Sequence, residues 1–238
     1  MQYMGSKNRI SKYIVPIIQD YIDSNKFKYY VEPFVGGANI IDKIKCQHKI
    51  GNDINPYLIA LLNHITNDIT DIPDTITEQE YINVRDNKTR YSDWYIGLVG
   101  FCATFGTRFF QGYARSPKTN RDIPSEAIRN IKKQSLNLKD IKFICNDYIN
   151  TNYYNSVIYC DPPYKGTKDY GKKNRINYDD FYDWCIKHQK RGNIVLVSEY
   201  FMPEENFKCI WEKHITVSLD SLRENGLKRT ERLWVVKE

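Results

Sequence analysis

The tetrapeptide Asp161-Pro162-Pro163-Tyr164 directly follows the apolar run Val157-Ile158-Tyr159-Cys160, and its residue types suit work on an aromatic amine. The lone pair of such an amine is delocalised into its ring, which makes the nitrogen a poor nucleophile. Two acceptors set against its two hydrogens draw the nitrogen toward sp³ and release the lone pair for attack. Asp161 brings a carboxylate acceptor, and Pro162 brings a carbonyl in an extended stretch where neither helix nor ladder competes for it. Tyr164 adds a flat face on which a base can stack. Such chemistry relies on positioning and fixed dipoles. In isolation the same residues also fit a strand-ending Pro-Pro turn with a capping Asp.

A second constellation lies upstream. Glu32-Pro33-Phe34-Val35-Gly36-Gly37-Ala38 follows the short strand pattern Tyr29 to Glu32, and its adjacent glycines permit positive φ and close approach of the backbone to a ligand. A plain tight turn reads equally well there. The next strand ends in Asp53, where a ribose-binding acid belongs in open α/β sheets. A carboxylate accepts from both ribose hydroxyls. Asp53 also fits the cap of the helix opened by Pro56, and the two roles are compatible.

The elements that must hold these residues alternate. A helical pattern over Ser11 to Tyr21, a strand at Tyr29 to Glu32, a helix restarting at Ala38 to Ile41, a strand at His48 to Asp53 and a helix from Pro56 through Leu62 imply a parallel sheet covered by helices. From about Asn67 to Asp140 the pattern is helical and loop-like: Thr77 to Arg85, Ser92 to Phe110 and Pro124 to Leu136. Strands return at Ile141 to Cys145, Val157 to Cys160 and Asn193 to Ser198, followed by a closing hairpin of Ile215 to Leu219 and Glu231 to Val236. The expected architecture is α/β: a Rossmann-like sheet with a C-terminal antiparallel hairpin, formed by residues 1–66 and 140–238, with a mainly helical insert at 67–139.

The 238 residues carry a net charge of +6 and are 41% hydrophobic, enough to bury a substantial core and to favour a polyanionic partner. Between Arg108 and Lys139 stand Arg108, Arg115, Lys118, Arg121, Arg129, Lys132, Lys133 and Lys139 against Asp122 and Glu126. Phosphate neutralisation is expected there. Phe109, Phe110 and Tyr113 are interleaved with these charges on what reads as an exposed loop able to contact base edges. A second basic stretch runs from Lys165 and Lys168 to Arg175, and a third surrounds the turn Glu224-Asn225-Gly226. Each also reads as a solvated surface. The six cysteines and four histidines are scattered without metal spacing, so reduced core thiols and no metal are expected. The sequence shows no secretory h-region and no membrane span, which points to the cytoplasm.

Taken with Tyr3-Met4-Gly5-Ser6-Lys7, the order of glycine loop, insert and Asp161-Pro162-Pro163-Tyr164 resembles the D12 class of DNA adenine-N6 methyltransferases, the DNA adenine methylase family, and is particularly similar to its short phage-type members. The resemblance covers most of the chain in the alpha arrangement of amino-methyltransferases. It implies methyl transfer from S-adenosylmethionine to N6 of a flipped adenine in double-stranded DNA at a specific site, with GATC as the family-level guess. Restriction-modification is the implied context, in a monomer or weak dimer. It implies that Lys7, with Tyr3 beside it, contacts the methionine end of the donor, that Glu32, Phe34, Gly36 and Gly37 form the donor loop, and that Asp53 holds the ribose. Asp147 and Tyr148 would border the donor adenine. Relatives often carry a second glycine where this chain has Ala38. Other acceptors remain open: cytosine N4, adenine in RNA, or a protein glutamine amide. Cytosine enzymes more often place Ser, and glutamine enzymes Asn, where Asp161 stands. A catalytically silent DNA-binding relative is a further alternative.

Overall fold

The computed structural model describes residues 1, 3–116, 119, 121–165, 176–217 and 227–237. Seven strands form one sheet in the order β3-β2-β1-β4-β5-β7-β6. Strands β1 (Tyr29–Glu32), β2 (His48–Asp53), β3 (Ile141–Cys145), β4 (Ser156–Cys160) and β5 (Ile194–Ser198) are parallel. The long β6 (Phe207–Val217) and β7 (Leu227–Val236) form a hairpin whose second strand pairs antiparallel with β5. The Rossmann-like sheet and a closing hairpin match the sequence expectation, but β6 begins at Phe207 instead of Ile215 and β7 at Leu227 instead of Glu231.

Both faces of the central strands are covered, so β1, β4 and β5 are buried on both sides. On one face Tyr30, Val157, Tyr159 and Leu196 meet α1 (Ser11–Asn25), α2 (Pro56–Asn67), α4 (Asp93–Cys102) and α5 (Ile123–Ser135). On the other, Val31, Ile158, Cys160, Val195 and Val197 meet α6 (Tyr178–Gln189) through Phe181, Trp184 and Cys185. The alternation along β1, β4 and β5 follows from the two-residue side-chain period of a strand.

Caps fix where helices begin. Asn55 Oδ1 accepts from the amides of Tyr57 and Leu58 at 3.1 and 3.2 Å, with Pro56 preset for the first turn of α2. Asp122 caps α5 and Asn177 caps α6 in the same way. The short α3 (Glu78–Asp86) starts from Thr77.

Two expectations change, and one element goes unforeseen. Residues 38–41 do not form a helix: Ala38 takes a left-handed φ of 55° and only a single 3₁₀ turn, Ile41–Lys43, follows. The segment from Ser92 to Phe110 is not one helix. It stops at Cys102, after which Thr104 pairs with Tyr113, Phe105 N donates to Gly112 O at 2.7 Å, and Gly106 and Phe110 adopt positive φ. The loop turns back because Phe109 and Phe110 fold onto α4 at Gly100, where an added Cβ would meet Phe109 at 2.2 Å. Finally, α6 carries no expectation from the sequence, although Tyr178, Phe181, Trp184, Cys185 and His188 recur at helical spacing and are its buried residues.

The helices of 67–139 do not stand apart from the sheet. Ile96, Leu98, Val99, Phe101, Ile128 and Ile131 are buried in the same core as α1 and α2. Among the described residues, no helix is long and apolar enough to cross a membrane.

Candidate active site

The chain leaves β1 toward β2 on one side, and after β3 returns to lay β4 on the other side of β1. That reversal opens a crevice beyond the carboxyl ends of β1 and β4, where open α/β sheets bind ligands. A carboxyl group stands at or just past the end of every parallel strand: Glu32, Asp53, Asp147, Asp161 and Glu199. A rim of this kind suits a cationic ligand.

On the β1–β2–β3 side, the donor loop is tightly tied. Asp53 Oδ2 accepts from Gly36 N at 3.1 Å and Oδ1 from Asn55 N at 3.0 Å. Burial pushes the Asp53 carboxyl above its ordinary value, opposed by the amides of Asn55, Gly36 and Ile54. Asn52, fully buried, donates from Nδ2 to Pro33 O at 3.1 Å and Asn146 O at 3.0 Å, so it binds the loop after β1 to the loop after β3. Its Oδ1 has no partner among the described residues. Gly36 (φ 47°) and Gly37 pack under Tyr3, where added Cβ atoms would lie 3.1 and 2.9 Å from that side chain. Phe34 and Tyr148 are in ring contact at 5.0 Å, and Asp147 Oδ1 takes Ile149 N at 3.2 Å. Tyr3, Phe34, Gly36, Gly37, Asp53, Asp147 and Tyr148 thus share one region through these contacts and the Asn52 tie. Glu32 lies deeper: it is 3% exposed, and Tyr30 Oη donates to it at 2.7 Å. Burial pushes its carboxyl well up.

On the β4 side, Asp161 Oδ1 lies 3.0 Å from Lys7 Nζ, and Glu231 Oε2 of β7 lies 3.8 Å from the same ammonium. Lys7 is buried and sits 4.3 Å from the centre of the Tyr164 ring. Tyr164 Oη donates to Glu231 Oε2 at 2.8 Å, and its ring meets Tyr200 edge to face at 4.5 Å. Burial raises the Asp161 carboxyl to about 6, with Lys7 opposing and Glu231 and Glu199 adding to the rise. Pro162 is buried, and Pro163 O accepts from Tyr178 Oη at 2.6 Å. The predicted tetrapeptide and Lys7 therefore form one cluster.

Three positioning groups carry no sequence expectation: Glu199, Glu231 and Tyr178. The signal for Glu199 was present, since an acid following the apolar run 194–198 obeys the same strand-end rule as Asp53 and Asp161. Glu231 and Tyr178 reach the site only through folding.

The basic residues separate into distinct settings. Arg115 pairs with Glu78 through Nε and Oε2 at 3.2 Å, Arg121 with Glu126 at 2.9 Å, and Lys132 with Asp74 at 2.8 Å. Arg108 and Lys133 are exposed. Lys165 is exposed with its ammonium 5.5 Å from the Tyr178 ring centre. Lys118 and Lys168, the rest of the 166–175 stretch and the turn at 224–226 lie outside the described residues. Phe109 and Phe110 are packed on the core, and the exposed aromatic of this loop is Phe105, at 65%. Of the cysteines expected in the core, Cys102, Cys160 and Cys185 are buried, Cys46 and Cys209 are half-buried, and Cys145 is exposed because it ends β3.

Comparison with known proteins matches residues 3–218 to the family described as D12 class N6 adenine-specific DNA methyltransferase. The chain is 25% identical to the type II methyltransferase M.FokI of Planomicrobium okeanokoites, with 77% of this chain covered and 33% of that protein, so it spans about a third of that relative. It is 24% identical to the type II methyltransferase M.MjaIII of Methanocaldococcus jannaschii, covering 84% of this chain and 83% of that one. Among solved structures, an rRNA methylase from Streptococcus thermophilus aligns over 94% of this chain and 97% of its own, at 7% identity and a TM-score of 0.38.

Proposed function

Because the chain belongs to the D12 class N6 adenine-specific DNA methyltransferase family, we propose that it transfers a methyl group from S-adenosylmethionine to N6 of an adenine flipped out of double-stranded DNA. The observation that carries this reading is the Lys7–Asp161 cluster at the switch point, next to a loop region built by Gly36, Asp53 and Asp147. The donor fits the residues present: a cationic sulfonium and amine suit the Asp53, Asp147 and Asp161 carboxyls, and the glycine loop admits no side chain without displacing Tyr3 or Asn39. In this reading Asp53 holds the ribose hydroxyls, Tyr148 and Asp147 border the donor adenine, and Lys7 with Tyr3 lies at the methionine end. The donor supplies an activated methyl carbon. Asp161 and the Pro162 carbonyl accept from the two N6 hydrogens, and Asp161 takes the proton that the nitrogen sheds. Tyr164 stacks on the flipped base.

Residues 67–139 serve as the target-recognition part in this reading. Its working elements are the 103–122 loop and the outer face of α5, whose apolar face is committed with α4 to the core. Arg108, Arg115, Lys118, Arg121, Lys132, Lys133, Lys165 and Lys168 supply phosphate contacts, and the enzyme works as a cytoplasmic monomer.

The test is transfer of labelled methyl from S-adenosylmethionine to duplex DNA, followed by base analysis and sequencing. Label in N6-methyladenine within a short recurring sequence is expected. Label confined to cytosine or to RNA, or none at all, overturns the proposal.

A further inference from the structure

Glu199 belongs to no motif, yet it holds the catalytic segment at two points. It is 1% exposed at the end of β5, and its Oε2 accepts from Lys165 N at 3.1 Å, just past Tyr164. Its Oε1 accepts from Tyr200 N at 2.7 Å, and its own carbonyl takes Trp234 Nε1 at 3.0 Å, so the residue is locked in place.

The decisive geometry surrounds Tyr178. Its hydroxyl oxygen lies 2.6 Å from Pro163 O and 2.6 Å from Glu199 Oε2. A phenol carries one hydrogen, whereas carbonyl and carboxylate oxygens only accept. With Glu199 ionised, one of the two short contacts would set lone pair against lone pair. A proton on Glu199 resolves the conflict. The carboxyl then donates to Tyr178 Oη, Tyr178 O–H donates to Pro163 O, and Oε2 keeps a lone pair for Lys165 N–H.

We propose that Glu199 is a neutral positioning residue that acts through Tyr178 on the Pro163 carbonyl, and through the Lys165 amide on the end of the segment, to hold the Asp161 carboxylate and Pro162 carbonyl at their working spacing. The charged surroundings are mixed. Lys7 from the N-terminal segment favours ionisation, while Arg229 and Arg232 of β7 are engaged with the neighbouring Tyr200. Asp161 after β4 opposes it, and the Tyr182 hydroxyl of α6 lies near the same carboxyl. Burial decides the balance and pushes the Glu199 carboxyl up, against the bonds from Tyr178, Tyr200 and Lys165.

The inference rests on the adenine-methylation reading, and its test separates the two. Wild type, Tyr178→Phe, Glu199→Ala and Glu199→Gln are compared for kcat on duplex DNA across pH, with the Kd for S-adenosylmethionine measured directly. Tyr178→Phe and Glu199→Ala are expected to lower kcat by about tenfold, as for loss of one positioning hydrogen bond, while the donor Kd stays within about threefold. Wild-type kcat falls on the alkaline side as Glu199 ionises. Glu199→Gln, whose amide nitrogen donates to Tyr178 at every pH but cannot accept from Lys165 N, recovers only part of the kcat lost in Glu199→Ala and lacks that alkaline fall. Undiminished kcat in Tyr178→Phe, which loses only one oxygen, or an unchanged alkaline limb in Glu199→Gln, overturns the positioning role alone. An inactive wild type overturns the functional reading and this inference with it.

Discussion

Lys7 Nζ and Asp161 Oδ1 stand 3.0 Å apart, joining the start of the chain to the loop after β4. Lys7 belongs to a single 3₁₀ turn capped by Ser6, and Asp161 follows a strand buried along its whole length, so neither partner has much freedom to leave. Burial works against the Lys7 ammonium, but Asp161 and Glu231 outweigh it and hold its value above the ordinary lysine range. The pair works in the opposite sense on Asp161, whose value of about 6 is the balance between burial and Lys7. A carboxyl group that takes the proton shed by N6 must be ionised beforehand. The kcat is therefore expected to rise with pH through about 6. In Lys7→Met the cation that favours the carboxylate is gone, so the limb moves upward by about one pH unit. A pH–kcat profile at saturating substrates measures both. A limb that stays put in Lys7→Met removes the pair from the titration.

Removing the carboxylate itself separates chemistry from binding. Asp161→Ala is expected to lower kcat by at least about a hundredfold, the scale of losing a positioned proton acceptor. The groups assigned to the donor, Asp53 and Asp147, keep their bonds to Gly36 and Ile149. Calorimetric titration with S-adenosylmethionine is thus expected to give a Kd close to that of the wild type. Near-normal turnover in Asp161→Ala eliminates the mechanism.

The fold makes its own prediction at Gly97. This residue of α4 faces α2 so closely that a Cβ would lie 2.2 Å from the Tyr57 carbonyl oxygen and 3.1 Å from Leu61 Cβ. A backbone oxygen cannot rotate away, so Gly97→Ala must push the two helices apart. The expected loss is about 2 kcal/mol in spite of alanine's better helix propensity. Urea unfolding measures it, and an unchanged midpoint shows that α4 does not need this contact.

The residues that the sequence exposed most clearly are those whose role is fixed by local order along the chain. Asp53 ends one strand and Asp161 directly follows another, and Gly36 takes the positive φ that its type suggested. The strand spans at Val157 and Ile194 were equally plain, because buried strands write their burial as short apolar runs. What stayed hidden depends on pairs distant in sequence. Glu231 meets Lys7 and Tyr164 only when the hairpin closes, and Tyr178 reaches Pro163 only once α6 packs on the second face. The helix predicted through Phe110 ended early because Phe109 prefers the surface of α4 to the continuation of its own helix, a tertiary preference that no propensity records. The charge count over 108–139 was likewise blind to acids outside that window. Glu78 and Asp74, both upstream, take up Arg115 and Lys132.

That pairing alters what each lysine contributes to a polyanion. Lys132 bonds Asp74 at 2.8 Å, whereas Lys133 is exposed and no described acid pairs with it. Asp74 is held below the ordinary carboxylate range by its bond to Lys132, so it remains charged and repels a phosphate arriving at that spot. Lys133→Gln is therefore expected to flatten the dependence of log K for DNA on log salt by about 0.9, the value of one released counterion. Lys132→Gln is expected to flatten it by less. Asp74→Asn frees Lys132 and should tighten binding at low salt and steepen the slope. Fluorescence anisotropy with a labelled duplex over a salt series measures all three. Equal slopes in wild type and Lys133→Gln take Lys133 off the DNA surface, and a looser complex in Asp74→Asn shows that Lys132 points to the protein and not to phosphate.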